Sequence, residues 1–256
     1  MKPDSVLLDR IVAIAEDAGR AILRHYRTDV AVERKADSSP VTVADREAEA
    51  LIVEALGTID PDIPIVAEEA VAAGTAPREG GDRFWLVDPL DGTREFIGGT
   101  DEFTVNIGLV QNGMPILGAV HAPALGETYG GLARGGAWRA RPGAPRQAIA
   151  ARPVRSEGPV VLSSRRHGDR GRLHEMLASM AVAAHRTVGS SLKFCLLAAG
   201  EGDIYPRYGE TNEWDTAAGH AVLLAAGGSI RTLEGAPLGY GKPGFRNPEF
   251  IARGRG

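Results

Sequence analysis

Near the N-terminus, apolar residues recur at steps of three and four. Leu8, Ile11, Ala15, Ala18 and Ile22 share one face, which predicts a core-facing helix over about 5–26. A second helix is expected from about Thr42 to Leu56, with Ala44, Ala48, Leu51, Ile52 and Ala55 as its apolar face. Thr42 followed by Asp45 has the spacing of a capping box. The pattern then shortens to strands. Ile63 to Ala67 is an apolar run ended by Glu68-Glu69, and Phe84 to Val87 is another ended by Asp88-Pro89. Phe103 to Val110 alternates and turns at Asn112-Gly113 into Ile116 to Val120. The glycines from Gly126 to Arg139 suggest a further hairpin.

Residues 141–158 are rich in Arg, Pro, Gly and Ala and read as a crossing between lobes. Beyond them strand and helix patterns alternate. Strands are expected at Val160 to Leu162, His185 to Val188, Asp203 to Tyr208, Ser229 to Thr232 and Phe250 to Ala252. Helices are expected at 170–181, Ser191 to Ala199 and Asp215 to Ala226, the last closed by Gly227-Gly228. The fold class is therefore α/β, with an α+β lobe over 1–145 and an α/β lobe over 146–256.

Composition narrows the function classes. In 256 residues, 43% are hydrophobic and 24% charged, too apolar and balanced for a disordered chain. The formal net charge of −4 argues against a nucleic-acid polymer as partner, which calls for a basic surface. The single cysteine, Cys195, excludes an intramolecular disulfide and sits in an apolar helical run, where inert core is the expected role. No apolar leader follows Met1. The longest apolar stretch, Ala217 to Ala226, is interrupted by Gly219 and His220 and is too short to span a bilayer, so a cytoplasmic protein is expected.

The acids fall where ligands gather in α/β folds, at strand carboxyl ends and helix N-termini. Glu68 and Glu69 end one expected strand, Asp88 and Asp91 the next, and Asp215 opens a helix. Carboxylates that face one another there need a hard cation between them or must take up protons. In Asp88-Pro89-Leu90-Asp91-Gly92-Thr93, Pro89 sets the turn, and the Leu90 carbonyl, freed from strand pairing, is a further oxygen ligand. Gly92 and Thr93 lead into a short helix whose free N–H groups suit a phosphate. Each signal has a structural alternative: an ordinary Asp-Gly turn, a solvated Glu-Glu loop, and helix capping by Asp45 and Asp215.

In this order the residues resemble the lithium-sensitive, magnesium-dependent phosphomonoesterase superfamily. That group includes inositol monophosphatase, fructose-1,6-bisphosphatase and the 3′(2′),5′-bisphosphate nucleotidases. Its pattern is matched by Glu68-Glu69, by Asp88 to Thr93 and by Trp214-Asp215, and the upstream Ser39 to Asp45 also fits. The extensions Phe84 to Phe96, Gly189 to Cys195, Asp203 to Arg207 and Glu213 to His220 look most like the bacterial bisphosphate nucleotidases. Ser164-Arg165 and His167 resemble a Ser-Arg-Ser-His segment, with Arg166 where Ser is usual.

The resemblance implies a layered α/β/α/β/α sandwich and two to three magnesium ions. Glu68, Asp88 and the Leu90 carbonyl would hold the first, and Asp88, Asp91 and Asp215 the second. A weaker third would share Glu68. Glu68 and Thr93 would orient the attacking water, with Asp45 as proton acceptor through Thr93, and the N–H groups of Gly92 and Thr93 would meet the transferring group. A second substrate phosphate would be met by Ser164, Arg165, His167, Ser190, Ser191, Lys193 and Arg207, alongside Asp215. The implied reaction converts adenosine 3′,5′-bisphosphate to AMP and phosphate, clearing a by-product of sulfate assimilation. It also implies lithium inhibition and, by family alone, possible peripheral contact with the inner membrane. The competing readings are an inositol-1-phosphate phosphatase using the same metals, a non-catalytic phosphate- or nucleotide-binding module, and capping roles alone for Asp45 and Asp215. Oligomeric state is left open.

Overall fold

A computed structural model describes residues 3–28, 31–35, 40–165 and 168–255. Helix α1 (Ser5–Leu23) is capped by Asp4, whose carboxylate accepts the Leu7 N–H at 2.9 Å. It buries Leu8, Ile11, Ala15, Ala18 and Ile22 as the periodicity predicts, and ends earlier than residue 26 in a run of turns. Two three-residue strands, β1 (Val32–Arg34) and β2 (Pro40–Thr42), pair antiparallel and lead into α2 (Val43–Ile59). The capping box forms at the start of α2. The Thr42 hydroxyl accepts the Ala44 N–H, and Asp45 accepts the Thr42 N–H at 2.7 Å.

The next elements are β3 (Ile65–Ala67), α3 (Glu68–Ala72), β4 (Arg83–Asp91), α4 (Thr93–Ile97), β5 (Thr104–Gln111), β6 (Met114–Ala122), β7 (Glu127–Leu132), β8 (Gly136–Ala140) and β9 (Gln147–Ile149). The seven strands form one sheet in sequence order, antiparallel except for the β3–β4 pair. Strand β9 arises inside the stretch read as a crossing. Strand β4 does not stop at Asp88-Pro89. It runs to Asp91 through a register shift, because Pro89 has no N–H to give the ladder and the chain bulges instead of ending. Glu68 and Glu69 open α3 instead of ending in a loop.

The second half contributes β10 (Val160–Ser164), α5 (Arg170–Ala178), β11 (Ala184–Val188), α6 (Leu192–Ala198), β12 (Ile204–Arg207), β13 (Thr211–Asn212), α7 (Ala217–Ala225), β14 (Ser229–Thr232), β15 (Arg246–Asn247) and β16 (Phe250–Arg253). A five-stranded sheet has the order β11-β10-β12-β16-β14, and β13 pairs with β15.

Alternation along β4 sends its side chains to two cores. Trp85 and Val87 join α1 and α2 on one face, while Phe84 and Leu86 join α6, α7 and the second sheet on the other. On the second sheet, Leu162 and Tyr205 face α6 and α7. Pro206 and Tyr208 border the groove lined by Leu173 of α5, where the Arg172 guanidinium lies over the Tyr208 ring at 4.4 Å. The layers are thus α, β, α, β and α. Among the described residues no helix is long and apolar enough to cross a membrane.

Helix α7 is seated by a row of paired glycines. Gly108, Gly118 and Gly131 stand opposite one another on β5, β6 and β7. A Cβ at Gly118 would lie 2.4 Å from the Ala218 carbonyl oxygen, and one at Gly131 2.4 Å from the Val222 Cα. Hydrogen in place of a methyl group lets the helix backbone rest on the sheet, and the segment just before α7 then brings Asp215 beside Asp88 of β4.

Candidate active site

Three carboxylates from distant segments meet at the floor of an open cleft of about 610 Å³. Glu68 opens α3, Asp88 lies at the bulge of β4, and Asp215 lies two residues before α7. An oxygen from each lies within 4.8 Å of the others. Asp215 was expected to open its helix. Thr216 takes the N-cap position instead, and Asp215 accepts the Asn212 N–H at 2.8 Å. Asp91 lines the same cleft and accepts the Ser191 N–H at 2.5 Å. The Leu90 carbonyl lies 3.2 Å from the Thr93 hydroxyl, whose single proton it shares with Asp45.

The charges are held against their own repulsion. Burial, then Glu68, Asp91 and Asp215, push the Asp88 carboxyl well above the usual carboxylate range. Burial, with Asp91 and Glu68, does the same for Asp215. Burial lifts Asp91 to about 6 against the pull of Lys193. Glu69 rises to about 7, mainly through burial. A site of buried oxygen donors that cannot all ionise alone fits a hard divalent cation. Lys35 supplies one positive charge, its Nζ lying 2.5 Å from both Glu68 and Glu69. Burial works against that ammonium, but the two glutamates outweigh it and keep its pKa above the ordinary lysine value.

Beside the acids, the Thr93 hydroxyl donates to Asp45 Oδ1 at 3.2 Å, while Asp45 Oδ2 accepts the Thr42 N–H and hydroxyl at 2.7 and 2.6 Å. The capping role and the Thr93 contact therefore coexist, one on each oxygen. Gly92 precedes Thr93 in the left-handed region, where a side chain would also press on the Glu102 carbonyl and Phe103. Glu49 of α2 fastens the start of α3, accepting the N–H groups of Glu69 and Ala70 at 2.7 and 2.8 Å.

The same cleft holds cationic side chains. Lys193 is buried and donates to the carbonyls of Val188 and Ser190, at 3.0 and 2.5 Å. Burial lowers its pKa to about 8, with Asp91 opposing and Arg207 adding to the fall. Arg207 donates one guanidinium N–H to the Glu210 carbonyl at 2.7 Å, and among the described residues its buried Nε has no hydrogen-bond partner.

Ser164 and Ser190 line the cleft, Ser190 with a positive φ of 47°. The Ser191 hydroxyl is committed elsewhere, donating to Asn106 at 2.6 Å beside Thr104 at 2.9 Å, so it orders the loop instead of facing a ligand. Arg165 is drawn away by Glu102, at 2.6 Å, and is not part of the cleft lining. His167 lies outside the described residues. Lys35, Glu49, Glu213 and Arg246 belong to the site or its support but carry no periodic or motif signal that assigns them a role. Glu213 alone stood inside a matched segment.

Comparison with known proteins places this geometry. The inositol monophosphatase family matches residues 4–251. The chain is 45% identical over 247 residues to the 3′(2′),5′-bisphosphate nucleotidase CysQ of Escherichia coli strain K12, covering 95% of this chain and 98% of that protein. It is 39% identical over 251 residues to CysQ of Buchnera aphidicola, covering 96% and 93%. Among solved structures, CysQ from Bacteroides thetaiotaomicron superposes with a TM-score of 0.79 at 33% identity, covering 98% of each chain. An IMPase from Thermotoga maritima gives 0.78 at 30% identity, covering 96% of this chain and 91% of that one. With nearly its whole length matched, this chain is a member of the inositol monophosphatase family.

Proposed function

We propose that this chain is a magnesium-dependent phosphomonoesterase that hydrolyses the 3′-phosphate of adenosine 3′,5′-bisphosphate, giving AMP and phosphate. The observation that carries it is one cleft lined by both a cluster of acids and two cationic side chains. The Glu68, Asp88 and Asp215 carboxylates and Thr93, bonded to Asp45, line it together with Lys193 and Arg207, whose Nε has no hydrogen-bond partner among the described residues. A bisphosphorylated nucleotide has an anion for each set. The similarity to CysQ proteins supports the same substrate class.

Glu68, Asp88, Asp91, Asp215 and the Leu90 carbonyl would hold two to three magnesium ions. When bound there, the cations acidify water and offset charge on the phosphoryl oxygens. Thr93 gives its proton to Asp45, which turns the threonine lone pairs outward to accept a proton from the attacking water. Glu68 orients that water from the other side. The N–H groups of Gly92 and Thr93 meet the phosphoryl oxygens as the water oxygen bonds to phosphorus and the ester P–O bond breaks. The 3′-oxygen leaves with the bonding pair and takes a proton from water to become the ribose hydroxyl, balancing the proton that the Thr93–Asp45 pair took from the nucleophile. Arg207 and Lys193 hold the 5′-phosphate, so binding energy from a group that does not react fixes the position of the one that does.

A phosphate-release panel with adenosine 3′,5′-bisphosphate, inositol-1-phosphate and fructose-1,6-bisphosphate, with magnesium and with EDTA, tests the reading. Magnesium-dependent release, fastest on the nucleotide, is expected. A preference for inositol-1-phosphate moves the chain to the runner-up activity, and tight nucleotide binding with no release makes it a binding module.

A further inference from the structure

Glu213 is fully buried, and nothing in the proposed reaction uses it. Its carboxylate accepts three donors from one neighbouring strap. Oε2 takes the Gly241 N–H at 2.7 Å, and Oε1 takes the Lys242 N–H at 2.9 Å and pairs with Lys242 Nζ at 2.6 Å. Its main chain is tied as well. The Glu213 N–H donates to the Phe245 carbonyl at 2.8 Å, and its own carbonyl accepts the Ala217 N–H at 3.0 Å, at the start of α7. Around it, β13 pairs with β15, and Asn247 donates to the Asn212 carbonyl at 2.7 Å and the Thr216 hydroxyl at 3.0 Å. The segment 211–216 that carries Asp215 is thus bolted to residues 241–247, with the Glu213 side chain as the charged bolt.

We propose that Glu213 is a positioning residue for Asp215: by clamping the 241–245 strap it fixes the segment whose carboxylate completes the cation site. The proposal rests on the metal-dependent reading of that site. The chemistry explains why a carboxylate is required. Two backbone N–H groups and an ammonium all point inward, so the partner must be acceptor-only. A glutamine would turn an NH₂ group toward one of those donors. Asp215 would then sit on a loosened segment, and the cost would fall on cation affinity more than on the chemical step.

The test is Glu213→Gln beside Lys242→Met, which removes the ammonium and keeps both backbone donors. Magnesium affinity is measured calorimetrically without substrate, and half-saturating magnesium and kcat are measured with adenosine 3′,5′-bisphosphate. Glu213→Gln is expected to weaken magnesium binding about tenfold or more in both measurements, with kcat recovering to within a few-fold at saturating magnesium. Lys242→Met is expected to weaken it by about two- to fivefold. Unchanged magnesium affinity in Glu213→Gln, or lost kcat with unchanged affinity, overturns the proposal. If circular dichroism shows Glu213→Gln unfolded, Lys242→Met decides by the same two measurements, and no shift overturns it. A wild-type protein that takes up no magnesium would instead refute the underlying metal-dependent reading.

Discussion

Thr93 and Asp45, 48 positions apart, are joined by a 3.2 Å hydrogen bond from the threonine hydroxyl to Oδ1, while Asp45 Oδ2 closes the capping box of α2. One carboxylate thus holds a helix start and a candidate proton acceptor together. Burial raises the Asp45 pKa, against the bonds from Thr42, which makes it a stronger base than an exposed aspartate.

The two roles separate by substitution. Asp45→Asn keeps an acceptor oxygen but removes the charge, so kcat should fall about 10²- to 10⁴-fold. Its stability should drop less than that of Asp45→Ala, which loses the reciprocal half of the capping box while Thr42 still caps the Ala44 N–H. Turnover and thermal midpoints of both variants check this. An Asp45→Asn variant with normal kcat leaves Asp45 a capping role only.

Much of this arrangement is legible in the chain itself. The Thr42/Asp45 spacing announces the start of α2, whereas Asp88-Pro89 reads as a strand end and the structure carries β4 on to Asp91 through a bulge. What escapes depends on pairing across the fold. Gly108, Gly118 and Gly131 look like scattered strand glycines until the registers align them beneath α7. Arg165 looks like an anion contact until Glu102 is seen beside it. Strands β1 and β2 are too short for a periodic signal, and Lys35, just after β1, reaches Glu68 only because the chain folds back.

Substrate choice should depend on Arg207. Its buried Nε, unpartnered among the described residues, is costly without an anion and rewarding with one. Arg207→Ala should lower kcat/KM for adenosine 3′,5′-bisphosphate about 10- to 100-fold, on the basis of one charged hydrogen-bonded contact. The loss on inositol-1-phosphate should be only a few-fold. Equal losses on the two substrates would count against a second-phosphate site at Arg207.

The glycine row predicts a defect that begins far from the acids. At Gly118 an added Cβ meets the Ala218 carbonyl at 2.4 Å, and a helix backbone cannot yield as a side chain can. Gly118→Ala should cost about 1–3 kcal/mol, the usual range for overpacking. It should also weaken magnesium binding, because α7 follows Asp215 directly. Calorimetric unfolding and magnesium titration of one sample read both effects. A variant with wild-type stability would mean that the helix is not seated on the row.

Removing the cation should expose the repulsion among the acids as a pH dependence of stability. Asp91 titrates near 6 and Glu69 near 7 in the fold, and Asp88 and Asp215 are raised well above the carboxylate range, while unfolded carboxyls titrate at about 4. Between those values the folded protein holds protons that the unfolded chain has lost, so stability falls as pH rises. Other buried groups oppose this outside a narrow window. His220, lowered to about 3 by burial, makes stability rise with pH up to the ordinary histidine value of about 6.5, and Lys193, near 8, does so above that. The acids are therefore read between pH 6.5 and 7.5. In EDTA the thermal midpoint should decline across that interval. Magnesium should flatten the decline, because a cation favours the ionised carboxylates. A midpoint in EDTA that stays level or climbs from pH 6.5 to 7.5 would mean that the carboxylates do not crowd one another in solution.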